Sequence, residues 1–237
     1  RMAIYLIEGS HIEMLMKKKH TVGLAAYLKG GVMQQQGIDK AVEILNEFQD
    51  FLRSFQITQV ITFTTAALRN AKNSAAAVGE IEQRTGLTIR VITGDEEAIF
   101  DFIGATRNLQ EESGLLVDIG GGSTEIVNYQ QRRIQHKISL RIGSLAFRTK
   151  YVQGILPTAG ECLVMREQAE AAIQSATAFN AVSELSMAGI GGTFKGAAAL
   201  YNAMFNQPAS NNRMEARRLK TIIATFQQDH GLTQDMS

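Results

Sequence analysis

The chain has 237 residues, 45% of them hydrophobic, enough for a real core in one large domain or two small ones. Its 24 lysines and arginines nearly cancel its 23 acids, leaving +1, so neither nucleic acid nor a membrane surface is a general partner. One cysteine, Cys162, excludes an internal disulfide framework and fits a reducing, cytoplasmic compartment, and no apolar stretch approaches the length of a membrane span.

Taken in order, strands and helices alternate, which argues for an α/β protein. Residues 3–8 and 12–18 read as a hairpin through Gly9-Ser10, and Lys17-Lys18-Lys19 reads as a solvated turn. Residues 38–55 carry Ile38, Ala41, Val42, Leu45, Phe48, Leu52 and Phe55 at helical spacing. A short buried strand over 59–63, a helix over 74–85 ended by Gly86, a strand over 87–92 and a helix over 95–107 follow. The polar stretch 108–113 is the expected boundary, dividing the chain into lobes 1–110 and 111–237. The second lobe is expected to run strand, glycine loop, strand, then a third strand over 132–140 and helices over 144–151 and 161–178. A strand over 184–188, a Gly-Gly-Thr loop and helices over 194–203 and 212–228 complete it.

The strongest chemical signal is Leu115-Leu116-Val117-Asp118-Ile119-Gly120-Gly121-Gly122-Ser123-Thr124-Glu125-Ile126-Val127. An apolar run ends in an acid, three glycines and two hydroxyl residues follow, and the chain turns apolar again. This reads as strand, tight loop, strand. Consecutive glycines let several backbone N–H groups converge on one anion with no Cβ in the way. Asp118, at the end of the first strand, is placed to hold a hard cation beside that anion. No Gly-Lys-Ser/Thr follows and the next element is a strand, so this is not a P-loop. A plain glycine hairpin with a solvated acid has the same local pattern. A second cluster, Gly94-Asp95-Glu96-Glu97-Ala98, opens the helix over 95–107, with Ile99, Phe102, Ile103 and Ala105 expected on its buried face. Acids in a first turn are also what the helix dipole and its free N–H groups favour, so locally both uses stay open.

Together these segments resemble the exopolyphosphatase / guanosine pentaphosphate phosphohydrolase family. The run 94–98 is similar to that family's Gly-x-Glu-Glu-Ala motif, and Asp118 through Glu125 to its phosphate loop, Asp-x-Gly-Gly-Gly-Ser-x-Glu. Thr64-Thr65-Ala66-Ala67-Leu68-Arg69-Asn70-Ala71-Lys72-Asn73 is similar to its Thr-x-Ala-x-Arg-x-Ala-x-Asn segment. Arg141-Ile142-Gly143-Ser144 and Gly189-Ile190-Gly191-Gly192-Thr193 sit where the family has a Gly-containing turn and a late glycine–threonine loop. The glycine loop is shared with the wider actin, heat-shock ATPase and sugar-kinase superfamily. The Glu-Glu-Ala run and the Arg-x-Ala-x-Asn segment make the match specific. The family opens on a strand and a first phosphate loop. Arg1-Met2-Ala3-Ile4-Tyr5 resembles the end of that motif, so the sequence is read as a fragment whose first phosphate loop and last elements lie outside it.

The resemblance implies an α/β fold of two ribonuclease-H-like lobes with a central cleft. It also implies Mg²⁺-dependent hydrolysis of a phosphoanhydride, releasing terminal phosphate from inorganic polyphosphate or guanosine pentaphosphate. Glu97 matches the family's catalytic base. Gly120, Gly121, Gly122, Ser123 and Thr124 would hold the terminal phosphate. Asp118 and Glu125 would hold Mg²⁺, which commonly takes one or two carboxylates and completes its octahedron with water and phosphate. Arg69 and Arg1 are candidate phosphate clamps because arginine presents a planar, permanently charged fork. A capping ion pair is the structural alternative for Arg69. Gly191, Gly192 and Thr193 are candidates for a further phosphate or a nucleoside, or for a strand-to-helix turn with Thr193 as N-cap. Expected partners are polyphosphate or guanosine pentaphosphate, with a homodimer allowed, and neither nucleic acid nor membrane. The scattered His11, His20, His136 and His230 suggest no zinc site, and Ser123 lacks a nucleophile elbow. Two other functions stay open. One is an ATP-dependent kinase of the superfamily, against which the 94–98 motif argues. The other is a nucleotide- or polyphosphate-binding regulatory module that keeps the loops without turnover.

Overall fold

The computed structural model describes residues 1–20, 22–107, 109–179, 182 and 186–228. The chain forms two compact units, Arg1–Ile92 and Thr93–Ser237.

In the first unit, β1 (Met2–Glu8) and β2 (His11–Lys18) form the antiparallel hairpin expected through Gly9-Ser10. Two strands that periodicity did not reveal, β3 (Leu28–Lys29) and β4 (Val32–Met33), pair antiparallel across Gly30-Gly31. Strands of two residues are too short to show alternation. Helix α1 (Gln35–Ser54) buries two stripes. Ile38 and Val42 pack with Met33, Leu68, Val78 and Ile81, while Ile44, Phe48 and Leu52 close on Met2 in a separate core. Strand β5 (Thr62–Thr64), the short α2 (Ala66–Arg69), α3 (Ser74–Thr85) and β6 (Ile89–Val91) follow, with β5 and β6 parallel. Asn73 acts as a partner strand in miniature. Its Oδ1 accepts the Met33 N–H at 2.8 Å and its amide donates to the Met33 carbonyl at 3.0 Å.

The second unit opens with α4 (Gly94–Thr106). A meander follows: β7 (Gly114–Ile119), β8 (Thr124–Gln130) and β9 (Arg133–Leu140). Then come α5 (Ser144–Tyr151), α6 (Ala159–Gln174), β10 (Met187–Ile190), α7 (Gly191–Met204) and α8 (Ala216–Gln228). The expected strand start at 184 and 185 and His230 lie outside the described residues. The sheet order is β10-β7-β8-β9, with β7, β8 and β9 antiparallel and β10 parallel to β7. A three-stranded meander with a fourth strand parallel beside the first is the arrangement of a ribonuclease-H-like lobe.

Side-chain alternation decides what this sheet offers to α4. Leu116 and Asp118 of β7 stand opposite Val127 and Glu125 of β8, which stand opposite Lys137 and Ser139 of β9. Leu116, Val127 and Tyr129 form a core with Ala98 and Phe102 of α4, so that core face ends in Asp118, Glu125 and Ser139. This packing explains why the compact units divide between Ile92 and Thr93 rather than at 108–113. The helix with the acidic start is buried against the strands that follow it. The buried stripe also differs from expectation. It runs through Ala98, Phe102 and Ala105, and Ile103 is 55% exposed.

Candidate active site

Thr93 opens α4 with a capping box. Its hydroxyl accepts the Glu96 N–H at 3.1 Å, and the Glu96 carboxylate accepts the Thr93 N–H at 2.8 Å. Two orphan donors of the helix start are thereby satisfied. Asp95 pairs with Lys137 of β9 at 2.9 Å. Two of the three first-turn acids thus have structural tasks. Glu97, the third, is rotated by about 100° from Glu96, as any next residue in a helix is.

The glycine loop is a tight hairpin braced from both sides. Gly120 donates its N–H to the Ser123 carbonyl at 2.9 Å. The start of α5 docks on the loop: the Ser144 N–H bonds the Gly120 carbonyl at 2.9 Å and the Ala146 N–H bonds the Gly121 carbonyl at 2.8 Å. A Cβ on Gly143 would lie 2.6 Å from the backbone of Gly121 and Gly122, so only glycine permits this approach. Thr124 donates its hydroxyl to the Ile142 carbonyl at 2.7 Å. From the other side, Thr193 donates its hydroxyl to the Ile119 carbonyl at 2.9 Å. Helix α7 begins at Gly191, not at 194, so Gly191, Gly192 and Thr193 form its first turn and Ile190 rather than Thr193 is the N-cap. Gly191 has φ +86°, and a Cβ there would meet Asp118 Oδ1 at 2.3 Å. The Asp118 carboxylate therefore rests against a helix N-terminus, where an anion is favoured.

Asp118 and Glu125 are register partners across β7 and β8. Glu125 is only 2% exposed, and its carboxylate accepts the Ser139 hydroxyl at 2.7 Å. Asp101, which the sequence reading did not single out, completes the group. Burial, reinforced by the charges of Asp118, Glu125 and Glu97, pushes its carboxyl up to about 7. Asp101 thus lies within electrostatic reach of Asp118, Glu125 and Glu97. A signal for Asp101 was present: it lies three residues after Ala98 and one before Phe102, inside the apolar stripe. Placing that stripe on Ile99 and Ile103 hid it.

The structure thus gathers Glu97, Asp118, Glu125, the 120–124 hairpin and Gly191, Gly192 and Thr193 into the second unit. Arg1 and Arg69 belong to the first. Arg1 is exposed before β1, and Arg69 at the end of α2 donates to the Ile92 carbonyl at 3.2 Å. Beside the hairpin, α5 and α6 flank an open depression of about 410 Å³ lined by Arg141, Lys150, Phe147, Tyr151 and Gln168. Chemically, the second unit sets a tight glycine hairpin next to a sheet face that ends in the carboxylates Asp118 and Glu125.

A profile of the Ppx/GppA phosphatase family matches residues 3–234. Exopolyphosphatase 1 of Mycobacterium tuberculosis is 26% identical over 223 residues, which cover 91% of this chain and 65% of that protein. The chain therefore spans just under two thirds of that relative's length. Guanosine-5'-triphosphate,3'-diphosphate pyrophosphatase of Pseudoalteromonas atlantica is 29% identical over 153 residues, covering 64% of this chain and 30% of that protein. The crystal structure of an exopolyphosphatase from Cytophaga hutchinsonii aligns with a TM-score of 0.76 at 24% identity, covering 86% of this chain and 67% of that one. A Ppx/GppA phosphatase from Aquifex aeolicus aligns with a TM-score of 0.64 at 22% identity, covering 95% and 76%. The likeness establishes the fold class, the mixed α/β architecture of these phosphatases.

Proposed function

We infer the activity of this chain from the premise that it belongs to the Ppx/GppA phosphatase family: it hydrolyses a phosphoanhydride, releasing the terminal phosphate of inorganic polyphosphate or of guanosine pentaphosphate. The observation that carries the reading is the adjacency, within one unit, of a braced glycine hairpin and the register partners Asp118 and Glu125, with Glu97 in the first turn of the helix that packs on the same sheet.

Phosphoryl transfer asks the protein mainly to position groups and stabilise charge. In this reading the backbone N–H groups of Gly121 and Gly122 and the hydroxyl of Ser123 hold the terminal phosphate. Glu97 accepts a proton from the attacking water and orients it in line with the bond that breaks. The Thr124 hydroxyl, given to Ile142, holds the hairpin's shape.

The acidic face fits a hard divalent cation such as Mg²⁺. Its donors are all carboxylate oxygens, and one of them, Asp101 Oδ2, is shielded from solvent with no hydrogen-bond partner among the described residues. Asp118 and Glu125 would hold the cation. When bound, it would neutralise charge on the substrate phosphates. The depression by α5 combines two cations with two aromatic rings, and so suits either further phosphates or a purine.

The test is phosphate release from long-chain polyphosphate and from guanosine pentaphosphate, each with Mg²⁺ and with chelator. Mg²⁺-dependent release from at least one is expected. No release from either, by a folded chain that still binds them, would favour a regulatory binding module.

A further inference from the structure

We propose that Asp101 is a positioning residue of the cation site: from the packing stripe of α4, one turn beyond Glu97, its carboxylate holds water ligands of a divalent cation carried by Asp118 and Glu125. The proposal rests on the phosphatase reading above.

The starting point is a charged residue in an apolar place. Ala98, Phe102 and Ala105 form the stripe that α4 buries on the sheet, and the i, i+3, i+4, i+7 spacing puts Asp101 in its middle. Every other position of that stripe is apolar. Asp101 Oδ2 is closed off from solvent and accepts no hydrogen bond from the described residues. Ala98 and Phe102 on either side of it pack on Leu116 and Val127, two residues along β7 and β8 from the paired Asp118 and Glu125, and the charges that act on it from there and from Glu97 of its own helix are of the same sign. On β9, the Ser139 hydroxyl is given to Glu125 and the Lys137 ammonium to Asp95. A carboxylate oxygen buried without a donor, beside three like charges, is unfavourable unless positive charge or a donor is brought to it.

A hydrated cation brings both. Among the described residues no group of three or more Asp, Glu, His or Cys side chains is placed to ligate one metal directly. A cation here would take few protein ligands and keep most of its water, as Mg²⁺ prefers. Those waters need acceptors, and such outer oxygens typically change metal affinity by about 10–100-fold when removed. Asp101 Oδ2 is an acceptor of this kind.

The test uses the full chain with Mn²⁺ as probe, its free concentration followed by electron paramagnetic resonance, and Mg²⁺-induced change in Tm as a second readout. Asp101→Leu completes the apolar stripe, so its Tm in chelator should equal or exceed that of the parent. Its Kd for Mn²⁺ should nevertheless rise about tenfold or more, and its Mg²⁺-induced Tm rise should shrink. Asp101→Asn, closer in size, should show the same direction and covers the case in which leucine does not fit. Wild-type Mn²⁺ affinity in both variants, alongside weakened binding in Asp118→Asn, would overturn the role of Asp101 and leave the cation site standing. If the parent binds no Mn²⁺, both this proposal and the cation reading fall, while phosphate release in chelator would show that the hydrolase reading survives them.

Discussion

Neighbouring side chains on α4 have opposite fates because a helix turns about 100° per residue. Glu96 is consumed by its capping box with Thr93, whereas Glu97, one position on, is left out of that box and acts electrostatically on Asp101 one turn later. Glu97→Gln keeps the shape but cannot accept a proton as a carboxylate does. In steady-state assays it should lower kcat by about 10²–10⁴-fold with KM little changed. Glu96→Ala should instead cost about 1 kcal/mol of stability in chemical denaturation and leave kcat per folded molecule near normal. The reverse pattern would exchange their roles. Asp101 has a signature of its own in the pH dependence of stability. Its carboxyl is raised from the ordinary value of about 3.9 to about 7 in the folded chain. Between those limits the native state holds a proton that the unfolded chain has lost. Stability therefore falls as pH rises through the window and levels off above it. Measured in chelator, the Tm advantage of Asp101→Asn over the parent should be smallest near pH 4, grow toward pH 7 and then plateau. An advantage that does not change with pH would mean that Asp101 ionises normally.

At the scale of elements, the phosphate loop is shaped less by its own glycines than by what docks on it. Two glycines outside the loop, Gly143 and Gly191, let α5 and α7 approach, and their roles differ. Gly143 has φ −153°, which any residue adopts, so Gly143→Ala acts through the clash with Gly121 and Gly122 alone. Gly191→Ala combines the cost of φ +86° with displacement of the Asp118 carboxylate. Each should lose on the order of 1–3 kcal/mol of stability. Only Gly191→Ala should also raise the Mg²⁺ concentration needed for half-maximal activity, and an equal effect from both would argue against a metal role for Asp118. The partner of Glu125 was hidden for a related reason. Register in the β8–β9 hairpin places Ser139 opposite Glu125. Its turn, however, is Gln131-Arg132, with φ of +50° and +56°, residues that carry none of the usual turn chemistry. The strain is offset by the Arg132 guanidinium, which donates to the Thr106 and Leu109 carbonyls at 3.3 and 3.0 Å. A register shift at Asn128 and Tyr129 obscured the pairing further.

Across the whole molecule, the catalytic and cation-binding candidates fall in the second compact unit, and Arg1 and Arg69 in the first. Among the described residues no helix is long and apolar enough to cross a membrane. Hydrogen exchange on the intact chain, with Mg²⁺ and tripolyphosphate added, should slow amides over 94–98, 118–124, 143–146 and 189–193. Protection confined to residues 1–92 would move the site elsewhere. Much of this was legible in the residues alone. The α/β class, the hairpin at Gly9-Ser10, the helices over 74–85 and 144–151 and the two acid-bearing motifs are local features, and local pattern is what periodicity and turn chemistry report. The family likeness of the 94–98 and 118–125 runs was equally local. The rest depended on contacts between distant segments. Which side of the boundary α4 joins was decided by the burial of Ala98 and Phe102 on β7 and β8. That Asn73 serves Met33, that Thr193 ties down Ile119 and that Asp118 rests on Gly191 are pairings across 40 or more residues. No window along the chain contains both partners of such a pair. Asp101 shows the difference most sharply. By sequence it is one more polar residue of a helix, and only the sheet packed against it makes it a half-buried carboxyl, with one oxygen closed off from solvent and without a hydrogen-bond partner among the described residues, near three other acids.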